Sequence, residues 1–203
     1  MILVSILSCK NIEESIKKID KTNADGIHVD VLDESYSNPF NPINEVSKSK
    51  KPLNIHLMVK DQMKYIKEYE KINPHSIILE YELSDNLYED ISYLWKTKIK
   101  SGIAIAPETL VSDIKEYLSL VDYVLILTVH PGKGNQKYMD RITYKIKLLK
   151  RLKKELNLNF KIIVDGGVNN ETIKKCKESD IFVVGSFITN SSSYQPQIDM
   201  LKY

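Results

Sequence analysis

Gly26-Ile-His-Val-Asp-Val-Leu32 is the stretch on which the fold reading turns. In a strand successive side chains point to opposite faces, so Ile27, Val29 and Val31 share one face and His28 and Asp30 the other. The run is one of eight short β-branched segments separated by helical stretches, a pattern that predicts a parallel sheet joined by helical crossovers. The candidates are Ile2–Leu7, Gly26–Val31, Leu53–Val59, Ser76–Tyr81, Gly102–Ala106, Tyr123–Val129, Phe160–Val164 and Ile181–Val184. They recur at about 25 residues per unit, as a closed eight-unit (β/α)8 barrel of this length requires. The fold class read from the sequence is therefore α/β, a single compact barrel over residues 1–203 with short loops. About 200 residues is the lower limit for this architecture, so the connecting loops must be trimmed.

Strands of a parallel barrel are covered by helices outside and filled by side chains inside, so polar residues on them are informative. If Ile27, Val29 and Val31 meet the helices, His28 and Asp30 point into the barrel. The same parity in Asn54-Ile-His-Leu-Met-Val59 leaves Asn54, His56 and Met58 inside, and Ser5, flanked by Val4 and Ile6, also points inward. Asp165 ends the seventh strand immediately before Gly166-Gly167. A buried carboxylate such as Asp30 needs a cation or hydrogen-bond donors. His28, Asp30, His56 and Asp165 converging near the C-terminal strand ends form a candidate site for one divalent ion, with ligands suited to zinc, iron, manganese or cobalt.

Strands two and seven lie on roughly opposite sides of an eight-strand ring. Carboxylates placed there can take a proton from one face of a carbon and return one to the other, inverting the centre. A bound cation would polarise the adjacent carbonyl and stabilise the enediolate between the two steps. The reaction this describes is epimerisation next to a ketone. Glycines in the loops after strands six to eight, in Pro131-Gly-Lys-Gly-Asn-Gln136, Asp165-Gly-Gly167 and Val184-Gly-Ser186, let backbone N–H groups approach an anion, and phosphate sites in such barrels sit after strands seven and eight. A sugar phosphate is the substrate class that follows, and Lys133 stands in the first of these loops to add charge.

The remaining composition excludes several classes. With 29 basic and 27 acidic residues the formal charge is +2, which gives no electrostatic reason for a nucleic-acid partner or an anionic membrane. The apolar Met1–Ser8 run lacks a positive leader and a cleavage site and is too short to span a bilayer. Two cysteines, Cys9 and Cys176, make no disulfide framework or metal finger and suit a reducing, cytoplasmic setting. Asn11 with Glu14 resembles a capping box ahead of the stripe Ile12, Ile16 and Ile19. After Tyr138, Ile142, Ile146, Leu149, Leu152 and Leu156 form a helical stripe. Lys145, Lys147, Lys150, Arg151, Lys153 and Lys154 are assigned to its solvated faces, as are Lys48–Lys51 to the surface. The Ser-rich stretch 190–193 reads as a loop before a final short helix.

These motifs resemble the ribulose-phosphate 3-epimerase family along nearly the whole chain: Val4-Ser-Ile-Leu-Ser8, His28-Val-Asp-Val-Leu-Asp33, Asn54-Ile-His-Leu-Met-Val59, Thr128-Val-His-Pro-Gly-Lys-Gly-Asn-Gln136, Ile163-Val-Asp-Gly-Gly-Val168 and Val184-Gly-Ser-Phe-Ile188. The resemblance implies a TIM barrel in which His28, Asp30, His56 and Asp165 hold the metal and Asp30 and Asp165 are the acid/base pair. It also implies substrate contacts from Ser5, His56, Met58, Gly132, Lys133, Gly134, Asn135, Gln136, Gly166, Gly167, Gly185 and Ser186. The implied reaction interconverts D-ribulose 5-phosphate and D-xylulose 5-phosphate, a step of the pentose phosphate pathway, in a homo-oligomer. The chain departs from the family pattern at Glu34, where glycine is usual, and in Ser35–Phe40, which lacks the usual Phe-Val-Pro-Asn. Further departures are Lys133 and Asn135 within Gly132–Gln136, Leu32 and Leu127 where methionine is common, and Glu80 where histidine is usual. Glu82 fits the family's acidic position.

Two other functions share these features. A sibling epimerase acting on D-allulose 6-phosphate would use the same ligands, and a catalytically degenerate sugar-phosphate binding protein would keep the phosphate loops. A decarboxylase or aldol-type synthase on the same barrel needs Asp-x-Lys-x-x-Asp at a strand end, and no such run follows any strand here.

Overall fold

A computed structural model describes residues 1–202. The strands are β1 (Ile2–Ser5), β2 (Gly26–Leu32), β3 (Leu53–Met58), β4 (Ser76–Glu80), β5 (Lys100–Ile105), β6 (Tyr123–Leu127), β7 (Lys161–Asp165) and β8 (Ile181–Val184). They form one closed parallel barrel in chain order, with β1 pairing β8 as well as β2. The helices are α1 (Ile12–Ile19), α2 (Ile43–Val46), α3 (Gln62–Tyr69), α4 (Leu87–Leu94), α5 (Tyr144–Glu155), α6 (Ser186–Thr189) and α7 (Tyr194–Asp199). All eight expected strands are present, with ends shifted by at most two residues. The crossovers after β5 and β7 differ from expectation: each carries only a three-residue 3-10 turn, Lys115–Tyr117 and Thr172–Lys174, in place of an α-helix.

Strand parity sorts the apolar residues into two separate clusters. Val4, Ile6, Ile27, Val29, Val31, Ile55, Leu57 and Val59 pack outward under the helices. Leu3, Ile78, Ala104, Tyr123, Leu125, Leu127, Ile163, Ile181 and Val183 fill the barrel. All seven residues of β2 are buried, so the polar face of this strand can only be inside. The barrel is packed below by apolar layers and turns polar toward one end, which is where the candidate site lies.

Local chemistry explains the helices. Asn11 Oδ1 accepts from the Glu14 amide at 3.1 Å and starts α1; Glu14 completes no capping box, because its carboxylate pairs with Lys18 at 2.8 Å. On α5, Ile146 and Leu149 are buried, as is Ile142 in the 3-10 turn just before it, whereas Leu156 follows the last helical turn and is 45% exposed. Lys145 corrects the solvated-face assignment. It is fully buried, and its Nζ donates to the carbonyls of Ala106 (2.8 Å), Pro107 (2.9 Å) and Thr109 (2.6 Å). Lys51 likewise turns inward, donating to Thr22 O at 2.7 Å and Ala24 O at 2.9 Å. In both cases an ammonium donates to loop carbonyls, and Ala106 O also accepts from the Thr109 amide at 3.2 Å.

Candidate metal centre and substrate cavity

His28 and Asp30 project from β2 and His56 from β3, with Asp30 and His56 in register across the two strands. Asp165 is the last residue of β7 and pairs with Leu127 of β6. His28 Nε2 and His56 Nδ1 each lie 3.4 Å from Asp30 Oδ1, and His28 Nε2 lies 3.8 Å from Asp165 Oδ2. One ligand atom from each of the four residues lies within 4.8 Å of the others. Both histidines are fully buried, Asp30 is nearly so, and Asp165 opens upward with 16% of its side chain exposed.

The other ring nitrogens are held from behind. His28 Nδ1 is 2.6 Å from Asn54 Oδ1, and Asn54 Nδ2 in turn donates to Ser76 Oγ at 2.5 Å. His56 Nε2 is 2.6 Å from Glu80 Oε2. An acceptor at one nitrogen puts the ring proton there and leaves a lone pair on the other. The atoms so freed, His28 Nε2 and His56 Nδ1, face the cluster and have no hydrogen-bond partner among the described residues. Buried polar atoms are seldom left unpaired. Two orphaned imidazole nitrogens facing two carboxylates therefore fit a bound cation, and the cluster could chelate one.

Without an ion the electrostatics are polarised. Burial raises the Asp30 carboxyl, but His28 and His56 outweigh it and hold the group far below the usual carboxylate range. Burial together with the Asp30 charge pushes Asp165 up to about 6, only partly offset by the histidines. Burial disfavours the His56 cation, yet its contacts with Asp30 and Glu80 prevail and raise it to about 10. Ser5 Oγ donates to Asp30 Oδ2 at 3.0 Å. The single Thr128 hydroxyl proton is shared between Asp165 O at 2.8 Å and Gly166 O at 2.6 Å, fixing the chain at the turn that carries Asp165.

Above the cluster opens a cavity of 560 Å³. Asp30 and Asp165 reach its floor, Met58, Leu127 and Val183 give it an apolar side, and Ser5, Gly166, Gly167, Gly185 and Ser186 line it, as do all residues of Gly132–Gln136. Of the expected substrate contacts only His56 is absent from the lining; it lies beneath, fully buried. Leu32 is also away from the wall, where it forms an antiparallel bridge with Phe40 that closes the short loop after β2. Gly132 has φ +97°, and a Cβ there would stand 2.5 Å from the Tyr36 ring, so the loops after β2 and β6 touch above the site. Asn135, at a position where glycine eases the turn, adopts φ 59°, a left-handed conformation that asparagine tolerates. Gln136 turns back into its own loop, donating to His130 O at 2.6 Å and Lys133 O at 2.8 Å.

The supports Asn54, Glu80 and Thr128 were without roles in the sequence reading. Parity places Asn54 and Glu80 on the inner face, but pairing them with His28 and His56 requires the register between strands.

Fold and site together define a metal-binding, sugar-phosphate-binding barrel enzyme. The model of the ribulose-phosphate 3-epimerase family matches residues 1–189, and the chain belongs to that family, an isomerase family. It is 32% identical over 188 residues to ribulose-phosphate 3-epimerase of Helicobacter pylori strain J99, covering 89% of this chain and 87% of that protein. To the Bacillus subtilis strain 168 protein of the same name it is 30% identical over 200 residues, covering 92% and 90%. Among solved structures, 3-hexulose-6-phosphate synthase from Salmonella typhimurium superposes with a TM-score of 0.71 at 15% identity, over 98% of this chain and 95% of that one. A tryptophan synthase α-subunit from Pyrococcus furiosus superposes at 0.68 and 15%, over 100% and 94%. At such identities these likenesses speak to the barrel alone.

Proposed function

We propose that this protein inverts C3 of a ketose phosphate, interconverting D-ribulose 5-phosphate and D-xylulose 5-phosphate, with Asp30 and Asp165 as the two proton-transfer groups. The carrying observation is that these two carboxylates reach one cavity floor from β2 and β7, with His28 Nε2 within 3.8 Å of both. His28, Asp30, His56 and Asp165 would hold the ion, one of zinc, iron, manganese or cobalt. When bound, such an ion acts as a Lewis acid toward the substrate's neighbouring oxygens and offsets the negative charge that develops there.

The chain's own residues do the rest. One aspartate removes the C3 proton from its face of the substrate and the other delivers a proton from the opposite face; the reverse reaction exchanges their roles. Ser5 orients Asp30 through its hydrogen bond, and Thr128 holds the Asp165 backbone. Met58, Leu127 and Val183 keep water from the reacting carbon. Backbone N–H groups of Gly166, Gly167, Gly185 and Ser186 bind the phosphate, and Gly132–Gln136 with Lys133 covers it. The setting is cytoplasmic and the assembly a homo-oligomer; among the described residues no helix is long and apolar enough to cross a membrane.

The test is turnover of ion-loaded protein with D-ribulose 5-phosphate and, separately, D-allulose 6-phosphate, with product identified by NMR. Formation of D-xylulose 5-phosphate, reduced about 10³-fold in Asp30→Asn and Asp165→Asn, is the expected result. Turnover of the six-carbon sugar alone would assign the sibling reaction, and tight binding of both sugars without turnover would leave a binding protein.

A further inference from the structure

Glu80 is a buried acid that the proposed proton transfers do not use. It ends β4 at 1% exposure, and its backbone carbonyl is fixed by Gln62 Nε2 at 2.7 Å from the start of α3. In the barrel register His56 faces Ile78, so Glu80 lies two residues further along the same inward face, and its carboxylate leans to the outer nitrogen of the imidazole. A buried carboxylate without a partner is costly. His56 is the side chain that meets this one, at 2.6 Å.

The two histidines of the cluster are thus backed by different charge. Behind His28 stands the neutral Asn54 amide, and behind His56 stands a carboxylate. Both partners select the tautomer that leaves a lone pair toward the cluster, but only the carboxylate also makes its imidazole a more basic ligand. We propose that Glu80 is the positioning residue of the metal centre: it fixes the His56 ring and tautomer, and its buried charge makes His56 the stronger of the two imidazole ligands. This rests on the metal centre proposed above.

The experiment measures ion binding independently of turnover. Wild type, Glu80→Gln and Glu80→Ala are titrated with Co(II) against a competing chelator, with visible absorption reporting the ligand field and circular dichroism the fold. Glu80→Gln keeps the shape and an acceptor but loses the charge, and binds about 10-fold more weakly with a shifted spectrum; Glu80→Ala approaches a 100-fold loss. A residue that merely packs would lower the melting temperature and leave the affinity of the folded protein unchanged. If Glu80→Ala fails to fold, the isosteric Glu80→Gln still decides. Folded Glu80→Gln protein holding Co(II) as tightly as wild type, with the same spectrum, overturns the proposal alone. Wild-type protein that takes up no Co(II), Zn(II) or Mn(II) overturns it together with the metal centre.

Discussion

Asp30 and Asp165 stand on either side of one imidazole: His28 Nε2 is 3.4 Å from the first carboxylate and 3.8 Å from the second. Beside the Ser5 hydroxyl, which donates to Asp30, the histidines or a bound cation are what offset the charge the two carboxylates bring together. Removing the His28 ring leaves two buried acids facing each other and deletes a nitrogen ligand. His28→Ala is expected to lower ion content well below that of wild type, measured by elemental analysis after dialysis. His56→Ala should do the same, and unchanged stoichiometry in either would refute the ligand assignment.

Lys145 gives a stability test away from the cluster. Its ammonium satisfies three carbonyls of the loop after β5, and Glu82 holds the same loop through the Ala106 amide at 2.9 Å. Lys145→Met keeps most of the volume but removes the ammonium from Pro107 O and Thr109 O, while Ala106 O keeps the Thr109 amide. A loss of about 3 kcal/mol is expected, read from the urea midpoint. An unchanged midpoint would mean that water replaces the ammonium at no cost.

Asp90, on the inner side of α4, predicts a pH dependence. Burial, reinforced by Glu89 and Asp61, pushes its carboxyl up to about 6, against 3.8 unperturbed, with Ser84 Oγ at 3.3 Å offsetting part of the rise. Between about pH 4 and 6 the unfolded chain gives up this proton before the folded one does, so the group costs stability as pH rises and the full cost remains above 6. Asp90→Asn should therefore raise Tm by about 2–4 °C at pH 7 and change it little at pH 4. An equal gain at both pH values would show that ionisation is not the cause.

Much of this structure was legible in β2 and β3. A barrel strand is buried on both faces, so alternation that would be ambiguous at a surface becomes an instruction about inside and outside, and Ile27, Val29 and Val31 separate from His28 and Asp30 as parity requires. Lys145 shows the converse error. Its place on the helical wheel falls within the stripe of Ile142, Ile146 and Leu149, and reading it by residue type sent it to the wrong face; periodicity was the better guide. The missing helices after β5 and β7 were hidden because a short crossover and a short helix have similar composition. The partners Asn54, Glu80 and Thr128 depend on which residues face each other across neighbouring strands, which no single run contains.

The most direct test of two-sided proton transfer is solvent exchange. Ion-loaded protein is incubated with D-ribulose 5-phosphate in deuterated water, and deuterium at C3 of both sugars is followed by NMR. Deuterium entering C3 as D-xylulose 5-phosphate forms, and falling to background in Asp165→Asn, is the expected result. Retained sugar-phosphate binding with no exchange at C3, for this substrate and for D-allulose 6-phosphate, would contradict it.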